Sequence, residues 1–203
     1  MTTKKVLNVG GNTKDIPLPD IYQHWQQVWL DIDPAVNPDV LCDARNLMSL
    51  AANSYDAIYC SHNLEHYFAH DVKKVLTGFH HVLTATGLVH IRVPDIGAVL
   101  RTFVEKNMDI HDVLYDCLAG PITVHDVIYG WCKEIERSGN DFFAHKTGFT
   151  KQSLTKALVD AGFGQVYIGA ANMEISAFAF KCKPSDLLLR EIGLAGKIIN
   201  PVS

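Results

Sequence analysis

The residues of this chain best suited to chemistry sit where short apolar runs end. Asn8-Val9-Gly10-Gly11-Asn12-Thr13 places two glycines directly after the first run, where a nucleotide-type cofactor must approach the backbone and a Cβ would block it. The second run, Val28-Trp29-Leu30-Asp31-Ile32-Asp33, ends in two acids. A carboxylate at that point of a nucleotide-binding sheet accepts hydrogen bonds from both ribose hydroxyls. Asp33 precedes Pro34 and reads as a turn or helix cap, which leaves Asp31, beside Ile32, for the ribose. The third run, Val40-Leu41-Cys42-Asp43, brings a further carboxylate, followed by Ala44, to the same edge, where it can accept from an adenine amino group. A full G-x-G-x-x-G fingerprint is absent, and each segment taken alone also reads as a bare turn or a solvated loop.

The fourth run, Tyr55-Asp56-Ala57-Ile58-Tyr59-Cys60-Ser61, leads into His62-Asn63-Leu64-Glu65-His66, which has the H-x-x-E-H spacing of inverted zinc peptidases. That chemistry needs both imidazoles on adjacent turns of one helix, whereas His62 follows directly on an apolar strand and no third ligand is marked downstream. A zinc hydrolase using His62, Glu65 and His66 is therefore the weaker reading, and the segment is expected to hold no metal. Ser61 and His62 instead face a cofactor and acceptor pocket, and His62 and His66 are candidate general bases because imidazole titrates near neutral pH.

These residues must be positioned by alternating strands and helices. After the four runs comes a helix with Val72, Val75, Leu76, Phe79, Val82 and Leu83 on one stripe. Gly87 closes its exit turn, and a fifth strand follows over Leu88-Val93, ending at Pro94. Asp95 caps the next helix, whose stripe is Ile96, Val99, Leu100, Phe103 and Val104. From about 107 to 145 the pattern changes to helix-like segments rich in His, Asp, Tyr and Trp, broken at Gly120-Pro121 and stopped at Gly139: an insertion that would cover the pocket mouth, with Tyr129, Trp131 and Phe142 as an apolar wall. Thr150 caps a further helix that Gly162 stops, and two strands, Gln165-Gly169 and Ser176-Lys181, form an antiparallel hairpin. Leu187, Leu188, Leu189, Ile192 and Leu194 in the tail 185–203 pack on the domain or on a partner, leaving a homodimer open. The expectation is one α/β domain over residues 1–203, a doubly wound, Rossmann-like sheet of seven strands with the last antiparallel.

Composition excludes several other classes. With 203 residues, 48% of them hydrophobic, the chain buries one substantial core, and its net charge of −4, without a long run of Lys or Arg, does not recruit nucleic acid or an anionic membrane. Met1-Thr2-Thr3-Lys4-Lys5 lead straight into the first apolar run without a signal segment. The five cysteines, Cys42, Cys60, Cys117, Cys132 and Cys182, contain no C-x-x-C pair, which fits a reduced cytoplasm rather than a disulfide framework or a thiolate zinc site.

Taken together, the stretches Val6-Gly11, Trp29-Pro34, Tyr55-His66 and Gly87-Asp95, with His145-Lys146-Thr147-Gly148-Phe149-Thr150 ahead of Ala161-Gly162-Phe163, resemble the class I S-adenosylmethionine (SAM)-dependent methyltransferases. The resemblance is closer to the small bacterial predicted methyltransferases related to the type 11 family. It implies SAM as cofactor and methyl transfer to an acceptor, expected to be a small molecule. By the same resemblance Asn8 and the Gly10-Gly11 turn lie against the methionine part of SAM, Asp31 and Ile32 at the ribose, Asp43 and Ala44 by the adenine, and Ser61-His62 on the pocket floor near the sulfonium. His145 joins His62 and His66 as a candidate base.

The chain departs from the family pattern in having Asn8 where an acid is common and Asn12, Thr13 and Lys14 where a further glycine is usual. Its link to the second strand holds Pro17 and Pro19, so the helix normally there is reduced or missing. A non-catalytic protein of the same fold, with a worn glycine loop, is the alternative. A nicotinamide-dependent dehydrogenase would carry the full glycine fingerprint and no closing hairpin.

Overall fold

A computed structural model describes residues 3–11, 13–117 and 120–196. The expectations placed on Met1-Thr2, on Asn12 and on 197–203 of the tail lie outside the described residues. Seven strands, β1 (Lys5–Val9), β2 (Gln26–Asp31), β3 (Val40–Leu41), β4 (Tyr55–Ser61), β5 (Leu83–Pro94), β8 (Gln165–Ala171) and β9 (Glu174–Phe180), form one sheet in the order β3-β2-β1-β4-β5-β9-β8. The neighbours from β3 through β5 pair in parallel, and β9 runs antiparallel to both β5 and β8. The last strand in the chain is thus the antiparallel one, as the strand pattern predicts.

Side chains alternate across this sheet with the strand period of two. Leu7, Val9, Ile58, Cys60, Val89, Ile91, Ala177 and Ala179 face α1 (Ala69–Val82), α5 (Lys151–Asp160) and the 3-10 turn Ala44–Ser49 in the main core. Val6, Ala57, Tyr59, Leu88, Phe178 and Phe180 face the other way, where the β1–β2 link and the tail cover them. Among its described residues that link has a single 3-10 turn, Asp20–Tyr22, in place of a helix, and its Tyr22 is buried. In the tail, α6 (Asp186–Glu191) turns Leu188 and Leu189 inward, with Ile192 and Leu194 buried after it. Among the described residues the tail packs on the domain through Leu194, although Leu187 remains exposed.

Three local expectations are corrected. β5 begins at Leu83, so Gly87 lies inside the strand rather than closing a turn before it, next to a register shift between Tyr55 and Ala57. On α2 (Ile96–Glu105) the side chain of Asp95 accepts from the Ala98 N–H as expected, but the helix buries Val99 and leaves Leu100 and Val104 exposed. The insertion is not all helical: β6 (Val113–Cys117) and β7 (Gly120–Thr123) pair antiparallel ahead of α3 (Val124–Tyr129) and α4 (Cys132–Ser138). Val113, Tyr115 and Ile122 give this segment strand-forming residues, and with α2 it makes a second small core around Val99, Leu114, Val124 and Val127. Thr150 caps α5 reciprocally with Ser153. Among the described residues no helix is long and apolar enough to cross a membrane.

Candidate functional site

The carboxyl ends of β1, β2 and β4 open onto one cavity of about 660 Å3, the place where a parallel sheet of this kind binds its ligand. At the end of β1 the Gly10 N–H donates to the Leu30 carbonyl at 2.9 Å and the chain turns with φ +69° at Gly10. A Cβ on Gly10 would stand 2.0 Å from Asn63 Nδ2, and one on Gly11 would stand 2.5 Å from Asn8 Nδ2. The glycines are required here because two asparagine side chains press against the turn. Asn8 is itself buried and lines the cavity with both glycines.

At the end of β2, Asp31 Oδ1 accepts the Asp33 N–H at 3.0 Å, while its second oxygen accepts no hydrogen bond among the described residues. Asp33 Oδ1 accepts the Ala35 N–H at 2.8 Å and caps the short turn Pro34–Val36, the role its position before proline suggests. Asp31, Ile32 and Asp33 all line the cavity. Asp43 does not. It caps the turn Ala44–Ser49 through the Arg45 N–H at 2.9 Å and holds the Arg45 guanidinium at 2.6 and 2.9 Å. Burial opposes its ionisation, but the bonds and charge from Arg45 prevail and hold the carboxyl below its ordinary range. Ala44 is buried in the core, and Arg45 stands at the cavity wall where the sequence points to its two neighbours.

Ser61 and His62 line the cavity at the end of β4. His62 has φ +48°, an uncommon conformation for a residue with a side chain, and its half-exposed ring lies between two carboxylates. Nε2 is 2.8 Å from Glu174 Oε2, and Nδ1 is 3.5 Å from Glu65 Oε1. Glu174 also accepts from Arg92 Nε at 2.8 Å, and Arg92 Nη1 reaches the Tyr59 hydroxyl at 3.3 Å. Burial alone would lower the His62 pKa, but the two carboxylates outweigh it and push it up to about 9. That shift favours the protonated ring near neutral pH, whereas a general base must offer a lone pair. Glu174 and Arg92 were not legible as site residues, because β5 and β9 bring them together from positions 82 residues apart.

His66 also lines the cavity, with its ring nitrogens each 3.0 Å from a carbonyl oxygen, Nδ1 from that of Ala144 and Nε2 from that of His62. His145 packs behind it, ring centres 5.0 Å apart, and is not on the cavity wall. Its Nδ1 lies 2.8 Å from the Val127 carbonyl and its Nε2 4.0 Å from Glu65 Oε1. Burial pushes the His145 imidazole down from its ordinary value, against the pull of Glu65. The three histidines are thus brought together, His62 and His66 on the cavity wall and His145 behind it. The apolar wall comes from Phe68, Phe142 and Phe143. Trp131 and Tyr129 are half-exposed elsewhere, since α3 and α4 turn them away from the cavity.

Residues 23–91, from just before β2 through most of β5, match the family described as methyltransferase domain. No curated protein sequence matches the chain. Among solved structures, a SAM-dependent methyltransferase from Archaeoglobus fulgidus is 14% identical with a TM-score of 0.55, the match covering 87% of this chain and 86% of that one. A SAM-dependent methyltransferase from Methanosarcina mazei is 12% identical with a TM-score of 0.54, covering 89% and 94%. The 1,6-didemethyltoxoflavin-N1-methyltransferase of Burkholderia thailandensis, solved with its substrate and S-adenosylhomocysteine, is 16% identical with a TM-score of 0.52, covering 89% and 72%. With this strand order and a methyltransferase-domain match across its sheet centre, the chain has the fold of the class I SAM-dependent methyltransferases.

Proposed function

We propose that the whole chain acts as one SAM-dependent methyltransferase whose cofactor and acceptor share the cavity at the carboxyl ends of β1, β2 and β4. The observation that carries this reading is Asp31: a carboxylate at the end of β2, on the cavity wall, with one oxygen held by the Asp33 N–H and the other without a partner among the described residues. A ribose diol is the partner that such an oxygen suits, and the adjoining Ile32 offers an apolar face to a base. Bound SAM supplies an activated methyl group on a sulfonium, so the chain's task is to align an acceptor and exclude water. Phe68, Phe142 and Phe143 suit a small apolar or aromatic acceptor. His62, paired to two carboxylates, orients the pocket floor and holds positive charge there, while the proton that the acceptor loses on methylation passes to water. The unpaired cysteines support a reducing, cytoplasmic setting.

Calorimetric titration with S-adenosylhomocysteine tests the reading. Wild type is expected to bind, and Asp31→Ala to bind at least about tenfold more weakly, because charge-assisted hydrogen bonds contribute roughly 1.5–3 kcal/mol each and about 1.4 kcal/mol is already a factor of ten. Equal binding by the variant would refute the ribose assignment. One observation favours the alternative of a non-catalytic binding protein: Asn8 and Asn63 press against the glycine turn from within the protein. Absence of binding by wild type at millimolar ligand would decide for that alternative.

A further inference from the structure

Glu65 is the least explained group in the molecule. Its side chain is 2% exposed, neither carboxylate oxygen has a hydrogen-bond partner among the described residues, and His62 Nδ1 reaches Oε1 only at ion-pair distance, 3.5 Å. A buried carboxylate without partners is costly, and when one persists a water, an ion or a functional role accounts for it. Two imidazoles flank it besides His62. One ligand-type atom from each of Glu65, His66 and His145 lies within 4.8 Å of the others. The His145 ring is already oriented as metal-bound histidines are: Nδ1 donates to the Val127 carbonyl at 2.8 Å, and the nitrogen left with a lone pair, Nε2, faces Glu65 Oε1 at 4.0 Å. Two acceptors turned toward each other repel unless a cation or a donor stands between them. His66 has a backbone carbonyl on each ring nitrogen, so whichever nitrogen turns to an ion, the other keeps a carbonyl to fix the ring.

We propose that Glu65, His66 and His145 form a Zn2+ site that staples the returning end of the insertion to the turn after β4. Two imidazoles and a carboxylate suit this ion, and the free second oxygen of Glu65 or a water completes its coordination. Ligand atoms around a tetrahedral zinc lie about 3.3–3.6 Å apart, given bonds of roughly 2.0–2.2 Å, so the pair at 4.0 Å closes by side-chain adjustment. The backbone has already made the junction: the Glu65 carbonyl accepts the Lys146 N–H at 2.8 Å and the Thr147 N–H at 3.1 Å. The sequence reading marks no third ligand for the His62-to-His66 segment. Folding brings His145 in as that ligand and leaves His62 out, its Nε2 engaged by Glu174. The role is structural, because His145 and Glu65 stand behind the cavity wall while Phe142, Phe143 and Lys146, on the stapled segment, form part of it.

The test uses the full chain, stripped with a chelator and free of SAM, so that its outcome is separate from that of the methyltransferase reading. Zn2+ is titrated in competition with a chromophoric indicator, and thermal melting is followed with and without the ion. Wild type is expected to take up one equivalent and to melt at a higher temperature with it. Glu65→Gln, which keeps the shape and removes the charge, and His145→Ala are each expected to weaken binding tenfold or more. The double variant His125→Ala with Cys132→Ser, which removes a second cluster in the insertion, should bind as wild type does. Co2+ substituted into wild type should show two metal-shifted imidazole signals by NMR, a readout that stands even where a variant fails to fold. No uptake by wild type, uptake unaffected by Glu65→Gln, or uptake lost with His125 and Cys132 would each overturn the proposal.

Discussion

The two sides of the cavity are held by contacts of very different range. On the side of β1, β2 and β3, the acids at and after the ends of β2 and β3 are fixed first by neighbours two residues away, Asp31 by Asp33, Asp33 by Ala35 and Asp43 by Arg45. Their longest further link, from Arg45 to Asp71, spans only 26 positions. On the side of β4, β5 and β9, His62 pairs with Glu174 across 112 positions, Arg92 with Glu174 across 82, and His66 with Ala144 across 78. The near side is a series of independent turns. The far side is one network, in which each group depends on strands and an insertion that arrive late in the chain. A substitution on the near side should stay local, whereas one on the far side should spread, since groups sharing a network do not act additively.

The largest effect is expected where the two sides meet. Gly10→Ala forces a residue with a Cβ into φ +69° and drives that Cβ into Asn63. The left-handed conformation alone costs about 1–2 kcal/mol, and displacing Asn63 should bring the total loss to about 3 kcal/mol by denaturant unfolding. Glu174→Ala comes next: it leaves Arg92 and His62 without their shared carboxylate, and at this partial exposure the loss should be about 2 kcal/mol. Combined with His62→Gln it should fall short of additivity, and a strictly additive pair would break the network picture. Asp33→Ala removes one helix-type cap and should cost about 1 kcal/mol, with no coupling to Glu174→Ala. The smallest effect is in pH dependence, because solvent screens the half-exposed His62 ring. Because the folded His62 pKa lies above its ordinary value, its contribution is complete below about pH 6.5 and is lost as pH rises through about 9. Wild type should therefore lose more stability than His62→Gln between pH 7 and 9, measured by chemical unfolding at each pH.

The same difference in range explains what could be read from the sequence. Strand ends, the Asp33 and Thr150 caps and the closing hairpin depend on residues a few positions apart, and all are present in the fold. Asp31 could be chosen over Asp33 because proline follows the latter. The glycine turn was legible as a close approach, but not what approaches it, since Asn63 comes from the next strand pair. The far side was not legible for a like reason: nothing near His62 announces Glu174, and nothing near Glu65 announces His145. The insertion was misread because its aromatic and histidine content has no clear period, and strand pairing across Gly120 decided its first half. Leu100 and Val104 fit a helical stripe, but α2 rests on the small second core through Ile96, Val99 and Phe103, a narrower face than the pattern implied.

The placement of β9 between β5 and β8 has a consequence for how the protein is made. β5 is 12 residues long, and its outer edge gains a partner only when residues 174–180 have left the ribosome. Until then a nascent chain presents a long, apolar, unpaired strand edge, the kind of surface that recruits other extended chains. Glu174 arrives on that same strand, so the pocket floor is assembled in the step that closes the sheet. A translation pause before β9 should thus give a chain that is at once inactive and prone to aggregate.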